Sequence, residues 1–250
     1  MTSKSPQQIK SVEKAIKILE AFSDSDFEMS LSEISKRVDM PKTTVYRIIE
    51  TLKNNGLIDQ RSDNGKYKLG LKLFELGSLV FKKLKLREVA LPYMEALSKK
   101  CGETVHLGIL QGDEVISIES CESSFELRSN IYIGKRAPLY CTGVGKALLA
   151  FLPPEEISKI LKNKRKKYTK NTIVEKEKLE KELKKIREEG FAIDNMEQEE
   201  GIRCIAAPIK NHENRVIASI SISGASIPVS YTHLRAHETS LHLVCRLLLE

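Results

Sequence analysis

The stretch Ser30-Leu31-Ser32-Glu33-Ile34-Ser35-Lys36-Arg37-Val38-Asp39-Met40-Pro41-Lys42-Thr43-Thr44-Val45-Tyr46-Arg47-Ile48-Ile49-Glu50-Thr51-Leu52-Lys53-Asn54-Asn55-Gly56 reads as two helices and a sharp turn between them. It opens on a Ser-x-x-Glu capping box, in which a hydroxyl and a carboxylate satisfy two amides at a helix start. That helix runs through Ile34 to Val38, about two turns. Asp39-Met40-Pro41 breaks it, and Pro41 is placed as the first residue of the next helix, where a missing N–H costs nothing. The next helix carries Val45, Ile48, Ile49 and Leu52 on one side and stops at Asn54-Asn55-Gly56, a glycine C-cap. Upstream, Ala15, Ile18, Leu19 and Phe22 recur at helical spacing over Ser11 to Phe22. A short helix, a tight turn and a longer helix make a helix-turn-helix.

With the apolar stripe turned inward, Lys42, Thr43, Thr44, Tyr46, Arg47 and Glu50 face solvent. Lys42, Thr43, Thr44 and Arg47 cluster in the N-terminal half, the part that enters a major groove. Hydroxyls at a helix start suit phosphates, and an arginine reaches a guanine edge. Taken alone, this pattern equally describes the polar face of an ordinary core helix. The next segment favours DNA. Leu57 to Arg61 and Lys66 to Leu69 read as strands around Ser62-Asp63-Asn64-Gly65, and Asn-Gly is a strong hairpin signal because both residues tolerate positive φ. Three helices and a basic-flanked hairpin make a winged helix, with Arg61, Lys66 and Lys68 at or beside the wing. Double-stranded DNA is the expected partner.

The chain of 250 residues leaves room for a second domain of ordinary size. A hydrophobic share of 41% supports packed cores, and 30% charged residues fall short of a disordered composition. No run approaches the roughly 18 apolar residues of a membrane span. Met1 to Lys10 lacks a signal-peptide core, so a cytoplasmic protein with no membrane partner is expected. Cys101, Cys121, Cys141, Cys204 and Cys245 are odd in number and form no Cys-x-x-Cys pair. Free thiols in a reducing compartment are expected, with no metal and no cofactor. Residues 1–85 hold 16 Lys+Arg against 11 Asp+Glu, part of a net charge of +7. That surplus is compatible with attraction to phosphates but does not require it.

After Gly70 comes a helix with Leu73, Phe74, Leu76, Val80, Phe81 and Leu84, apolar on more than one side and therefore expected to be buried between domains or subunits. A further helix over about Leu86 to Lys99 places Pro92 near its first turn or at a bend. From Glu103 the apolar period becomes two: Val105, Leu107 and Ile109 alternate, Gln111-Gly112-Asp113 turns, and Val115 to Cys121 returns. A third strand is expected within Glu126 to Ile133, then helices from Gly143 and from Pro153. A charged helix over Glu175 to Glu189 ends at Gly190, and strands follow over Phe191 to Asn195, Arg203 to Lys210 and Arg215 to Ser223. The fold class is α+β, helices with an antiparallel sheet. Lys162-Asn163-Lys164-Arg165-Lys166-Lys167 reads as a solvated loop rather than a second nucleic-acid patch.

Six ordered stretches carry a family resemblance: Lys42 to Arg47, Tyr67 to Gly70, Leu86 to Ala90, Gly102 to Gly108, Pro138 to Ala147 and Gly201 to Ile209. Over Gln8 to Ser226 the chain resembles the isocitrate-lyase-regulator (IclR) family of bacterial transcription factors. The resemblance implies a winged helix (8–70), a linker helix (71–86) and a GAF-like effector-binding domain (87–228). It implies a DNA-binding transcription regulator, a repressor, acting as a homodimer or tetramer on near-palindromic operators. A small metabolite, frequently a carboxylate, would shift the oligomer between DNA-competent and incompetent arrangements.

Physical reasoning places an anion at Thr142, Gly143 and Val144, where a helix starts. The family pattern would aim Asp194, Cys204, Ser221 and Ser223 at the same cavity. Ser221 and Ser223 share one strand face. Alternatively they face solvent while Ile220 and Ile222 face the core. Cys204 has three readings: cavity wall, core packing or nucleophile. A rival class is an enzyme using Cys204 or Cys141, but His106 alternates with apolar strand residues and reads as structural, and no Cys/His/acid set emerges. A second rival is a metabolite-binding protein whose winged helix mediates only protein contacts. The match fails after about Pro228. Residues 229–250 resemble a translated sequencing adapter, so the helical zinc spacing of His233 and His237 is set aside as accidental.

Overall fold

Helices α1 (Lys10–Glu20), α2 (Leu31–Arg37) and α3 (Lys42–Asn54) open the protein, followed by the hairpin β1 (Ile58–Gln60) and β2 (Tyr67–Leu69). The computed structural model describes residues 9–23, 25–122 and 131–225. The capping box forms in full: the Glu33 carboxylate accepts the Ser30 amide at 2.7 Å, and the Ser30 hydroxyl accepts the Glu33 amide at 3.3 Å. Asp39 then takes a left-handed φ of 50°, which Asp tolerates better than most residues. The Ser35 hydroxyl donates to the Met40 carbonyl at 2.6 Å across this turn. Pro41 is the N-cap, and the helix begins one residue later than expected, at Lys42. Extended backbone at ψ 137° puts Pro41 outside the helix.

Val45, Ile49 and Leu52 bury against Ile18, Ile34, Ile58, Met29 and Tyr67, with Ile48 at the margin. Each such side chain contributes roughly 1.5–3 kcal/mol on full burial. At the hairpin tip only Gly65 is left-handed, with φ 68°. Asn64 instead uses its side-chain oxygen to accept the Lys66 amide at 2.9 Å. Helix α4 (Leu71–Phe81) follows, with no buried residue in this chain. The expected burial of its apolar sides is not met within one chain.

The chain divides into two units, residues 1–84 and 85–250. The second starts with α5 (Lys85–Cys101), which holds Pro92 in its interior rather than near its first turn. The strands β3 (Thr104–Gln111), β4 (Glu114–Cys121), β5 (Arg136–Pro138), β6 (Ala192–Asn195), β7 (Ile202–Lys210) and β8 (Val216–Ala225) form one sheet in the order β5-β4-β3-β8-β7-β6. Every adjacent pair is antiparallel. The strand expected within 126–133 falls mostly outside the described residues, and the described third strand lies later, at β5. Residues 229–250, with His233 and His237, lie outside the described residues too.

Helix α6 (Gly143–Leu149) packs on one face of the sheet, where a Cβ on Gly143 would stand 3.3 Å from the Cβ atoms of both Cys204 and Ala206. Helices α7 (Pro154–Lys162) and α8 (Lys176–Glu189) join it through Leu148, Leu161, Leu179, Leu183 and Ile186. Helix α5 takes the other face, where its Arg87 meets Glu119 of β4. On strand β8, Ser219 to Ser223 are all buried. The alternative with Ser221 and Ser223 facing solvent does not hold. The lysine-rich loop exposes Lys162, Lys164, Lys166 and Lys167, while Arg165 turns in to the carbonyls of Leu161 and Val174.

Candidate functional site

On α3 the buried stripe leaves Lys42, Thr43, Tyr46 and Arg47 exposed and Thr44 half-buried. Arg47 and Thr44 also border a groove against α1. None of the described carboxylates pairs with Arg47, so its guanidinium is available to an acceptor. Arg61 differs. Its fork is held by both oxygens of Asp63, at 3.0 and 2.7 Å, and Glu28 lies 3.4 Å away. Those hydrogen bonds hold the Asp63 carboxyl down to about 2. The wing arginine must leave two carboxylates to meet a phosphate, and its neighbour Asp63 was the overlooked signal. Lys66 is half-buried beside the tip.

Within the second unit, Thr142, Gly143, Val144, Asp194, Cys204, Ser221 and Ser223 all line one cavity of about 70 Å³. That is several times the roughly 10–15 Å³ a single water needs. Strand register explains the assembly. Asp194 pairs across with Cys204, and Cys204 with Ser223, so three polar side chains stand in a row on one face. Ser221 lies two residues along the same face and pairs with His106, which also lines the cavity. Opposite, Thr142 caps α6: its hydroxyl accepts the Gly145 amide at 3.0 Å and donates to the Pro138 carbonyl at 2.8 Å. The amides of Gly143 and Val144 stand at the start of the helix, before its ladder of bonds begins.

Burial pushes the Asp194 carboxyl up to about 7, against the pull of the Glu197 amide, which donates to it at 2.7 Å. Burial also raises the Cys204 thiol well above its usual range, with Asp194 adding to the effect. The Ser223 hydroxyl donates to the Cys204 sulfur at 3.0 Å. A thiol this far from ionising makes a poor nucleophile, and Cys204 belongs to the cavity wall. Cys141 is buried and likewise raised, to about 12. Burial, reinforced by Lys135, depresses His106 to about 3, so its ring stays neutral.

Sequence reasoning missed Lys146. Its ammonium is fully buried, donating to the Ile193 carbonyl at 2.6 Å, Glu197 at 2.5 Å and Glu182 at 3.1 Å. Burial alone would lower it, but the two carboxylates outweigh burial and hold it above its ordinary value. It ties α6 to α8 and, through Glu197, to the Asp194 turn. No group of three or more His, Cys, Asp or Glu side chains suited to a metal occurs among the described residues.

Two family profiles match: the IclR helix-turn-helix domain over residues 11–62 and the bacterial transcriptional regulator IclR C-terminal domain over residues 78–242. The chain belongs to the IclR family of transcriptional regulators. It is 40% identical over 244 residues to the HTH-type transcriptional regulator KdgR of Escherichia coli (strain K12), covering 97% of this chain and 92% of KdgR. It is 35% identical over 216 residues to the HTH-type transcriptional repressor AllR of the same strain, covering 86% and 80%. The crystal structure of an IclR homologue from Microbacterium hydrocarbonoxydans, complexed with 4-hydroxybenzoate, superposes with a TM-score of 0.81 at 25% identity, covering 95% of this chain and 97% of that one. Like its relatives, this IclR-family chain is a regulator and not an enzyme. No described helix is long and apolar enough to cross a membrane.

Proposed function

We propose that this IclR-family protein is a cytoplasmic repressor whose hold on operator DNA is released by a small carboxylate bound in the sheet cavity. The carrying observation is the enclosed row Asp194, Cys204 and Ser223, with Ser221 beside it, facing the first amides of α6. Hydroxyls and helix-start amides suit a carboxylate, and the burial that favours the neutral form of Asp194 eases the repulsion an ionised one would exert. The 4-hydroxybenzoate in the Microbacterium homologue and the word repressor in the name of AllR support this reading.

At the DNA end, Thr43 and Arg47 stand at the centre of the exposed face of α3, with Lys42, Thr44 and Tyr46 beside them. Arg47 is the base reader. Lys66 contacts the backbone from the wing, and Arg61 joins it only after leaving Asp63. Two copies place two α3 helices about one DNA turn apart, and dimers pair into tetramers. Site selection by the full chain from a random DNA pool tests the reading. Paired half-sites should emerge, and Arg47→Ala should lose preference at one position of each, worth about 1–3 kcal/mol. Adding millimolar small carboxylates, 4-hydroxybenzoate among them, should release the selected DNA. A pool without enrichment sinks the DNA reading, and DNA untouched by every carboxylate sinks the effector reading.

A further inference from the structure

Between the cavity and the start of α5 the sheet carries a continuous polar path through its own thickness. His106 lines the cavity, and its Nδ1 lies 3.2 Å from the Ser120 hydroxyl on the paired position of β4. The Ser120 amide donates to Oε1 of Glu119 at 3.0 Å. Neighbouring residues of a strand point to opposite faces, so this step crosses from the cavity face to the α5 face. A register shift opposite Leu107 and Gly108 makes that crossing possible: Ser117 pairs with Gly108 and Glu119 with Leu107, leaving Ile118 as the extra residue. On the far face Oε2 of Glu119 lies 2.5 Å from Nε of Arg87, a close charge contact without hydrogen-bond alignment. Glu119 is almost wholly buried, so this charge cannot turn to water. Arg87 is the third residue of α5, three positions past the junction at Leu84 with the DNA-reading unit.

We propose that His106 is the residue through which the occupant of the cavity acts on the start of α5, by way of Ser120, Glu119 and Arg87. This rests on the effector reading above and adds a binding residue and a route of regulation to it. The ring is neutral, so it meets the occupant as a hydrogen-bonding and packing partner rather than as a charge. Shifting it moves Ser120, and Ser120 carries the Glu119 carboxylate on its own amide. A buried carboxylate that moves draws its cation along, because leaving Glu119 buried without a counter-charge is costly.

Amide hydrogen exchange on the full chain, with no ligand added, reads this coupling in the peptide 86–91. His106→Ala and Ser120→Ala should each raise exchange there about threefold or more, with α8 unchanged. Ser219→Ala, which removes a buried hydroxyl that donates to the Ala207 carbonyl and lies off the path, should leave that peptide as it is. Ser120→Ala combined with Glu119→Gln should do no more than the larger single change, because both cut one path. Should His106→Ala fail to fold, His106→Gln and Ser120→Ala carry the test. An unchanged peptide, an equal response to Ser219→Ala, additive effects, or a rise shared equally by α8 each overturn the proposal. Coupling present in a chain whose DNA ignores all carboxylates sinks the effector reading alone, and carboxylate release without the coupling sinks this path alone.

Discussion

Two arginines and one aspartate show what a residue's surroundings add to its type. Arg47 and Arg61 look alike as sequence, and both fall on surfaces expected to meet DNA. Only the hairpin geometry separates them, by folding Asp63 back onto Arg61 while none of the described carboxylates pairs with Arg47. Asp194 is the stronger case, because its carboxyl is buried and its folded pKa is raised from 3.8 to about 7. Between those values the folded chain keeps a proton that the unfolded chain releases, so stability falls as pH rises through that window. At about 1.36 kcal/mol per unit the loss is on the order of 4 kcal/mol at most. Asp194→Asn keeps an oxygen for the Glu197 amide and removes the charge. Its second unit should melt higher than the native one at pH 8 and alike near pH 4. Native melting that is flat across this window would show that Asp194 ionises without cost.

Elements were legible wherever the signal is local. The capping box, the helical stripe of α3 and the alternating run of β3 each draw on neighbours within a turn or two, and each formed within a few residues of expectation. Prolines marked positions less well. Pro41 sits one residue outside its helix, and Pro92 lies inside another rather than in its first turn. The two glycines of α6 announced a helix start but not their reasons: Gly145 lies close against Thr142 and Leu139 just before it, while Gly143 meets residues some sixty positions away. Gly143→Ala would press a Cβ to 3.3 Å from the Cβ atoms of Cys204 and Ala206, and both are bound into the sheet. Lifting α6 off the strands should cost about 1–3 kcal/mol, read by urea unfolding, and should distort the cavity wall. Unchanged stability would mean that α6 is not seated on the sheet.

For the whole molecule, the most informative surface is α4. Leu71 is 77% exposed, Phe74 74%, Leu79 62% and Val80 66%, an apolar exposure that single chains rarely keep in water. A second copy of the chain is the expected cover. Phe74→Glu should shift the full chain toward monomer in sedimentation and weaken binding to paired half-sites together, and a chain monomeric before the change rules this out. Sequence by itself determined the winged helix, the α+β class and the roster of seven cavity residues, through capping, periodicity and family motifs. Tertiary structure decided what those residues do for one another. The Asp194-Cys204-Ser223 row exists because three successive strands fall into one register, and β8 sets it beside His106 of β3, distant in sequence. Lys146 lost its water to Glu182 and Glu197, also distant in sequence, and His106 became a cavity wall with a polar route behind it. Charge and polarity at a buried site are set by long-range pairing, which leaves no local pattern in the chain.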